Sequence, residues 1–181
     1  MKCVILAAGE GKRMHPLTYT RPKVMLPIAG KPILEWNLTN AKRAGLKDFL
    51  FIINYRSEMV REYFQDGKPW NVKISYINQG KPLGTAHAIG MVESFADDFL
   101  VLSGDTIFGT TDIKNLLKKD VQLGVTTTET PAQYGVVELE GNIVQAIHEK
   151  EPNPASNIIN AGMYHFDTSI FPVIKKTKIS P

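Results

Sequence analysis

The chain has 181 residues, 43% of them hydrophobic and 22% charged, enough to bury a core of its own and ordinary for a globular protein. Its 21 basic and 18 acidic residues leave a net charge of +3, too balanced for the concentrated Lys/Arg footprint of a nucleic-acid binder. The apolar runs are far shorter than a membrane span, residues 1–3 open a strand rather than a signal peptide, and the single cysteine excludes an intrachain disulfide, so the expectation is a cytoplasmic protein.

Cys3-Val4-Ile5-Leu6 reads as a buried strand, with Cys3 a small apolar side chain rather than a reactive thiol. It runs into Gly9 and Gly11 and then Arg13, with Lys23 further on. Gly30-Lys31-Pro32 breaks the chain, and Leu34, Leu38 and Ala41 then recur at helical spacing up to a stop at Gly45. Residues 48–53 form a continuous apolar run, as in a strand covered on both faces. Ser57 is placed to cap a helix carrying Met59, Val60, Tyr63 and Phe64. Residues 72–77 alternate as a strand. Residues 84–95 read as a helix with Ala88, Met91, Val92 and Phe95 on one side, and 99–102 as a further buried strand ending at Gly104-Asp105. Strand alternating with helix predicts a parallel sheet with helices on both faces and right-handed crossovers.

The second part is richer in strands: 121–127, 135–139, 143–148 and 159–166, with short helices near 113–118 and 169–175. Glu140-Gly141-Asn142 predicts a hairpin turn. This half is expected to continue the same sheet and to build a second wall over a ligand crevice.

Ligands in open α/β sheets bind beyond the carboxyl ends of the strands, where strand order reverses. Three segments converge there: the glycine loop, residues 79–85, and Asp105. Glycines let successive backbone N–H groups approach a ligand and form an anion-binding concavity, and Arg adds a planar donor fork suited to phosphate. A dinucleotide fingerprint fails, because the third glycine is missing and the second strand ends in Ile53-Asn54-Tyr55 without a carboxylate for a ribose. A Walker loop fails as well, since Gly11-Lys12-Arg13 lacks the metal-binding hydroxyl.

The stretch Leu6, Gly9, Gly11, Arg13, Met14, Pro16-Leu17-Thr18, Pro22-Lys23, Pro27 and Gly30-Lys31-Pro32 resembles the signature of the sugar nucleotidyltransferases, the NDP-sugar pyrophosphorylases. The resemblance continues through Gln79, Pro82-Leu83-Gly84-Thr85-Ala86, Gly104-Asp105, Tyr134-Gly135-Val136-Val137, Glu149-Lys150 and Asn160-Ala161-Gly162, and so covers essentially the whole chain. It implies an α/β, Rossmann-like three-layer sandwich with a mostly parallel central sheet. It also implies a single domain over 1–181, with 1–110 holding nucleotide and 111–181 an incomplete sugar-binding half. The implied reaction transfers a nucleotidyl group from UTP or dTTP to glucose or N-acetylglucosamine 1-phosphate, with Mg2+ as cofactor and no protein nucleophile. A homo-oligomer is compatible with this; nucleic-acid and membrane partners are not expected.

The same resemblance implies the roles of individual residues. Arg13 would grip the β- and γ-phosphates and Lys23 would lie at the α-phosphate, as the catalytic cations. Leu6, Ala7, Ala8, Gly9, Gly11, Gln79, Gly84 and Thr85 would hold the nucleotide, Gln79 and the Gly84 backbone reading the base. Lys12 either joins the triphosphate pocket or points to solvent. Asp105 would bind the metal. Gly135, Glu149, Lys150 and Asn160 would meet the sugar phosphate. Glu149 and Lys150 are adjacent, so both reach one ligand only if the strand bends between them. His15 and His87 would line or flank the pocket.

The family pattern continues beyond Pro181 to a second metal-binding aspartate, and Asp112, Asp120 and Asp167 fall in turns or helix starts. A truncated relative acting as a non-catalytic nucleotide or nucleotide-sugar binding module is therefore the alternative. A nicotinamide-dependent oxidoreductase is disfavoured by the missing ribose carboxylate.

Overall fold

A computed structural model describes residues 1–81, 83–118 and 122–177. Pro82, Lys119, Asp120, Val121 at the start of the strand expected at 121–127, and residues 178–181 lie outside the described residues. The first strand, β1 (Lys2–Ala7), is followed by a two-residue ribbon, β2 (Pro27–Ile28) with β3 (Lys31–Pro32), and by α1 (Ile33–Arg43). Then come β4 (Asp48–Ile53), α2 (Ser57–Phe64), β5 (Lys73–Asn78), α3 (Thr85–Gly90) and β6 (Asp98–Ser103). The remainder comprises α4 (Thr110–Leu116), β7 (Leu123–Thr127), β8 (Gly135–Glu140), β9 (Ile143–Glu149), β10 (Ile158–Asp167) and α5 (Ile170–Lys176).

The strands form one sheet in the order β5-β4-β1-β6-β10-β8-β9, with β7 also paired to β10. The first four are mutually parallel, and β10 lies antiparallel against β6, from Met163 opposite Leu102 to Asp167 opposite Asp98. Strand order reverses beside β1, between β4 on one side and β6 on the other, which is where a ligand crevice opens in such sheets. The expected hairpin is present: Gly141 has φ +61° and joins β8 to an antiparallel β9.

Alternation along the central strands divides the core. Cys3, Ile5 and Ala7 of β1 face α1 and α2 through Leu34, Leu38, Val60 and Phe64, while Val4 faces α3 and α5 through Ala88, Ile89 and Phe171. Burial pushes the Cys3 thiol far above its ordinary value, which removes thiolate chemistry from it. The helices therefore cover both sides of the sheet, and the sandwich has three layers.

Two local expectations are corrected. Ser57 does not cap α2; it is the first helical residue, and Arg56 precedes it at φ +50°, with Met59 N–H donating to the Arg56 carbonyl at 3.1 Å. The helix expected over 84–95 stops at Gly90, and Phe95 is half exposed rather than part of the buried face. Turns beyond the poor helix former Gly90 break the helical period on which the Phe95 assignment depended.

Candidate active site

The glycine loop is a pinned structure. Gly11 takes the left-handed conformation at φ +75°, and a short 3-10 turn (Lys12–Met14) follows. A Cβ placed on Gly11 would lie 2.9 Å from Cβ of Lys23, so this position requires glycine both for its dihedral and for its close approach. Thr18, fully buried, donates its hydroxyl to the Gly11 carbonyl at 2.9 Å. The Tyr55 hydroxyl, just past β4, lies 3.1 and 2.9 Å from the carbonyls of Thr18 and Tyr19. The return of the loop is thus tied to the end of the neighbouring strand.

Over the carboxyl ends of β1 and β6 lies a cleft of about 900 Å³. Its first wall carries Leu6, Gly9, Gly11, Lys12, Arg13, Lys23, Thr85 and Asp105, and its second carries Gly135, Glu149, Lys150 and Asn160. Segments more than a hundred residues apart in sequence thereby face one space. Ala7 is buried in the sheet, Ala8 precedes the cleft-lining Gly9, and Gln79 and Gly84 lie beside the cleft-lining Thr85.

Lys23 and Asp105 meet directly, ammonium to carboxylate at 2.8 Å, with the carboxylate about half exposed. Each therefore orients the other at the cleft. Lys12 is exposed and lies 3.6 Å from Glu10 while still lining the wall. Arg13 is exposed on the same turn. These cations sit where a polyanion entering the cleft would displace only solvent or an exposed ion pair, an inexpensive exchange in water.

On the second wall the strand does bend. Lys150 has φ +52° just after β9, and its N–H donates to the Tyr134 carbonyl at 3.0 Å, so Glu149 and Lys150 both line the cleft. A Cβ on Gly135 would come 3.0 Å from the Ile147 side chain and 3.1 Å from the Glu149 carboxylate, so the two strands approach closely there. Asn160 is placed as expected, but its side chain is already engaged. Its Oδ1 accepts from Gly162 N–H at 2.8 Å and its Nδ2 donates to the Tyr164 hydroxyl at 2.6 Å. It therefore shapes the bulge that begins at Asn160 in the pairing of β10 with β7.

Gln79 is only 7% exposed, and its N–H continues the β5–β4 pairing by donating to Ile53 at 2.8 Å. Its side-chain nitrogen donates to the Gly84 carbonyl at 3.1 Å. The two residues expected to read a base are thus brought together beside Thr85, which reaches the cleft.

Residues 2–181 match the family model described as Nucleotidyl transferase. The chain belongs to the nucleotidyl transferase family. It is 42% identical over 184 residues to the bifunctional protein GlmU of Methanocaldococcus jannaschii, an alignment covering 99% of this chain and 43% of that protein. Identity to the low-salt glycan biosynthesis nucleotidyltransferase Agl11 of Haloferax volcanii is 36% over 190 residues, covering 99% of this chain and 53% of the relative. The chain therefore spans about half or less of the length of these curated relatives. A solved chain described as a glucose-1-phosphate thymidylyltransferase from Bacillus anthracis, in complex with sucrose, matches with a TM-score of 0.84 at 27% identity, over 98% of this chain and 76% of that one. A UDP-glucose pyrophosphorylase complexed with UDP-glucose has a TM-score of 0.84 at 24% identity, over 98% of this chain and 80% of that one, a likeness of fold.

For this nucleotidyl transferase chain the donor set fits a hard divalent cation only in part. Asp105 offers one half-exposed carboxylate at the cleft, and among the described residues no group of three or more His, Cys, Asp or Glu is placed to hold a metal. Mg2+ is commonly bound by one or two carboxylates together with substrate phosphates and retained waters, and Asp105 is one carboxylate of that kind at the cleft. Asp112 accepts from Gly109 N–H at 3.1 Å and Asp167 from Ser169 N–H at 2.8 Å, so both serve local turns.

Sequence reasoning missed several residues of the same cleft, among them Ser103, Thr106, Gln133, Tyr134 and Tyr164. Tyr134 had a visible signal in the Tyr134-Gly135-Val136-Val137 stretch of the family resemblance, where no role was attached to it. Tyr164 had none. Its place depends on Gly162, at φ +78°, where a Cβ would lie 2.8 Å from the Ser103 hydroxyl.

Proposed function

We propose that this chain transfers a nucleotidyl group from a nucleoside triphosphate, UTP or dTTP, to a sugar 1-phosphate, glucose or N-acetylglucosamine 1-phosphate, releasing pyrophosphate. The observation that supports this best is the single cleft in which Arg13, Lys23 and Asp105 face Glu149 and Lys150. Joining two polyanions requires cations from two directions, because Coulomb repulsion between the substrates is the principal obstacle.

In this reading a phosphate oxygen of the sugar 1-phosphate attacks the α-phosphorus in line. A new oxygen–phosphorus bond forms as the bond to the bridging β-phosphate oxygen breaks, and its electron pair leaves with pyrophosphate. Arg13 binds the departing β- and γ-phosphates through its planar donor fork. Lys23, already oriented by Asp105, stands at the α-phosphate, and Lys150 brings the sugar phosphate to it. Glu149 accepts hydrogen bonds from sugar hydroxyls, and Gly135 gives the ring room to approach. Gln79 and the Gly84 backbone meet the base. Asp105 would hold Mg2+ together with substrate phosphates, and the bound ion would supply charge neutralisation there. No helix among the described residues is long and apolar enough to cross a membrane, and the reading places the protein in the cytoplasm, with its nucleotide substrates.

The test is pyrophosphate release from UTP or dTTP in the presence of Mg2+ and each of the two sugar 1-phosphates. Release that depends on the sugar phosphate supports the transferase reading. Tight nucleotide binding with no release would instead favour a nucleotide-binding module.

A further inference from the structure

The Gln79 amide is held on two sides. Its Nε2 lies 3.1 Å from the Gly84 carbonyl and 3.3 Å from Nδ1 of His87, which is half buried on the first turn of α3. A carbonyl oxygen has no proton to offer, so Gly84 decides which end of the amide faces it: the nitrogen. The second amide hydrogen is then aimed at His87 Nδ1, which can receive it only as an acceptor. The contact is made when the ring nitrogen facing the amide carries no proton. Both amide hydrogens are committed inside the protein, and Oε1 is the polar atom that remains. Rotating the amide by a half turn would set Oε1 against the Gly84 oxygen, two acceptors facing each other.

We infer that His87 is a specificity-setting positioning residue. Together with Gly84 it locks the Gln79 amide so that this side chain presents an acceptor and no donor. The inference rests on the proposal that Gln79 meets the base. An acceptor at that point selects a pyrimidine whose ring nitrogen N3 carries a hydrogen, the imide of uracil or thymine. It rejects cytosine, whose N3 is itself an acceptor. The 5-methyl group is not part of this edge, so the lock treats uracil and thymine alike. A site built to satisfy a specific hydrogen bond penalises the wrong partner because a buried polar atom is then left facing another of the same kind.

The test compares the wild type with H87L, H87Q and H87N, using direct binding of UTP and CTP by calorimetry together with pyrophosphate-release kinetics. H87L removes the acceptor, and H87Q replaces the Nε2 end of the ring while leaving the Nδ1 position empty. Both are expected to weaken UTP binding about tenfold and to narrow the UTP-over-CTP preference by a similar factor, with the loss falling on KM more than on kcat. H87N, whose Oδ1 stands near the position of Nδ1, is expected to restore most of the preference. A UTP-over-CTP ratio unchanged in H87L and H87Q would overturn the lock. Q79A separates this from the underlying reading: if Q79A leaves affinity and preference untouched, Gln79 does not read the base. If Q79A abolishes the preference while H87L and H87Q keep it, the lock alone falls.

Discussion

Arg13 and Lys150 show how much a single backbone dihedral contributes to this site. Lys150 would point away from Glu149 on a straight strand, and its φ of +52° turns it back toward the same cleft. Arg13 depends instead on Gly11, whose left-handed conformation starts the 3-10 turn that presents the guanidinium. Because Arg13 is exposed and supports no core packing, R13A is expected to lower turnover about 10²-fold, as for loss of one preorganised donor to a developing charge. Its thermal midpoint should match the wild type. A variant that turns over normally would remove Arg13 from the phosphate site.

The signature loop and α1 work as a unit joined by a small polar cluster. Glu35, nearly buried in the first turn of α1, accepts from the Tyr63 hydroxyl at 2.7 Å and pairs with Lys31 at 3.2 Å. Burial pushes the Glu35 carboxyl upward, but the Tyr63 hydrogen bond and the Lys31 charge outweigh it and hold the group below its ordinary 4.5. The same hydrogen bond raises the Tyr63 phenol to about 12. A carboxyl with a lowered folded pKa contributes stability above its unfolded value and loses it as pH falls through the folded one. Denaturation of the wild type below pH 4.5 should therefore steepen with acidity, and E35Q should show a flatter acid limb. Identical acid limbs would mean that Glu35 is not coupled to folding. At this scale the sequence also misled. Ser57 has the chemistry of a cap, yet the turn through Arg56 satisfies the start of α2 without it.

Across the whole molecule the site depends on a rigid sheet. Phe51, fully buried in β4, meets the rings of Phe64 at 5.4 Å and Tyr76 at 5.8 Å, both nearly edge-on. F51A is expected to cost about 3–5 kcal/mol in chemical denaturation, the usual range for a buried aromatic truncated to alanine. Activity per folded molecule should change little, because Phe51 lies under α2 and not in the cleft. A loss below about 1 kcal/mol would mean that the aromatic cluster repacks around the gap.

The four parallel strands and their helices were legible from the chain because their cues are local: apolar runs of strand length, helical spacing, and glycine or proline breaks. The phosphate-facing loop was legible for the same reason, since Gly11, Arg13 and Lys23 lie within one short stretch. What sequence alone determined was therefore the class of fold, the family likeness and the residue types available to bind phosphate. Only the tertiary structure decided that Lys23 pairs with Asp105, that Asn160 is spent on Gly162 and Tyr164, and that Gln79 is held by Gly84 and His87. Those contacts depend on how β10 bulges and how the loops past β5 and β6 fold over the strand ends. A hydrogen bond is decided by tenths of an ångström between segments distant in sequence, whereas periodicity is written within a single turn or strand.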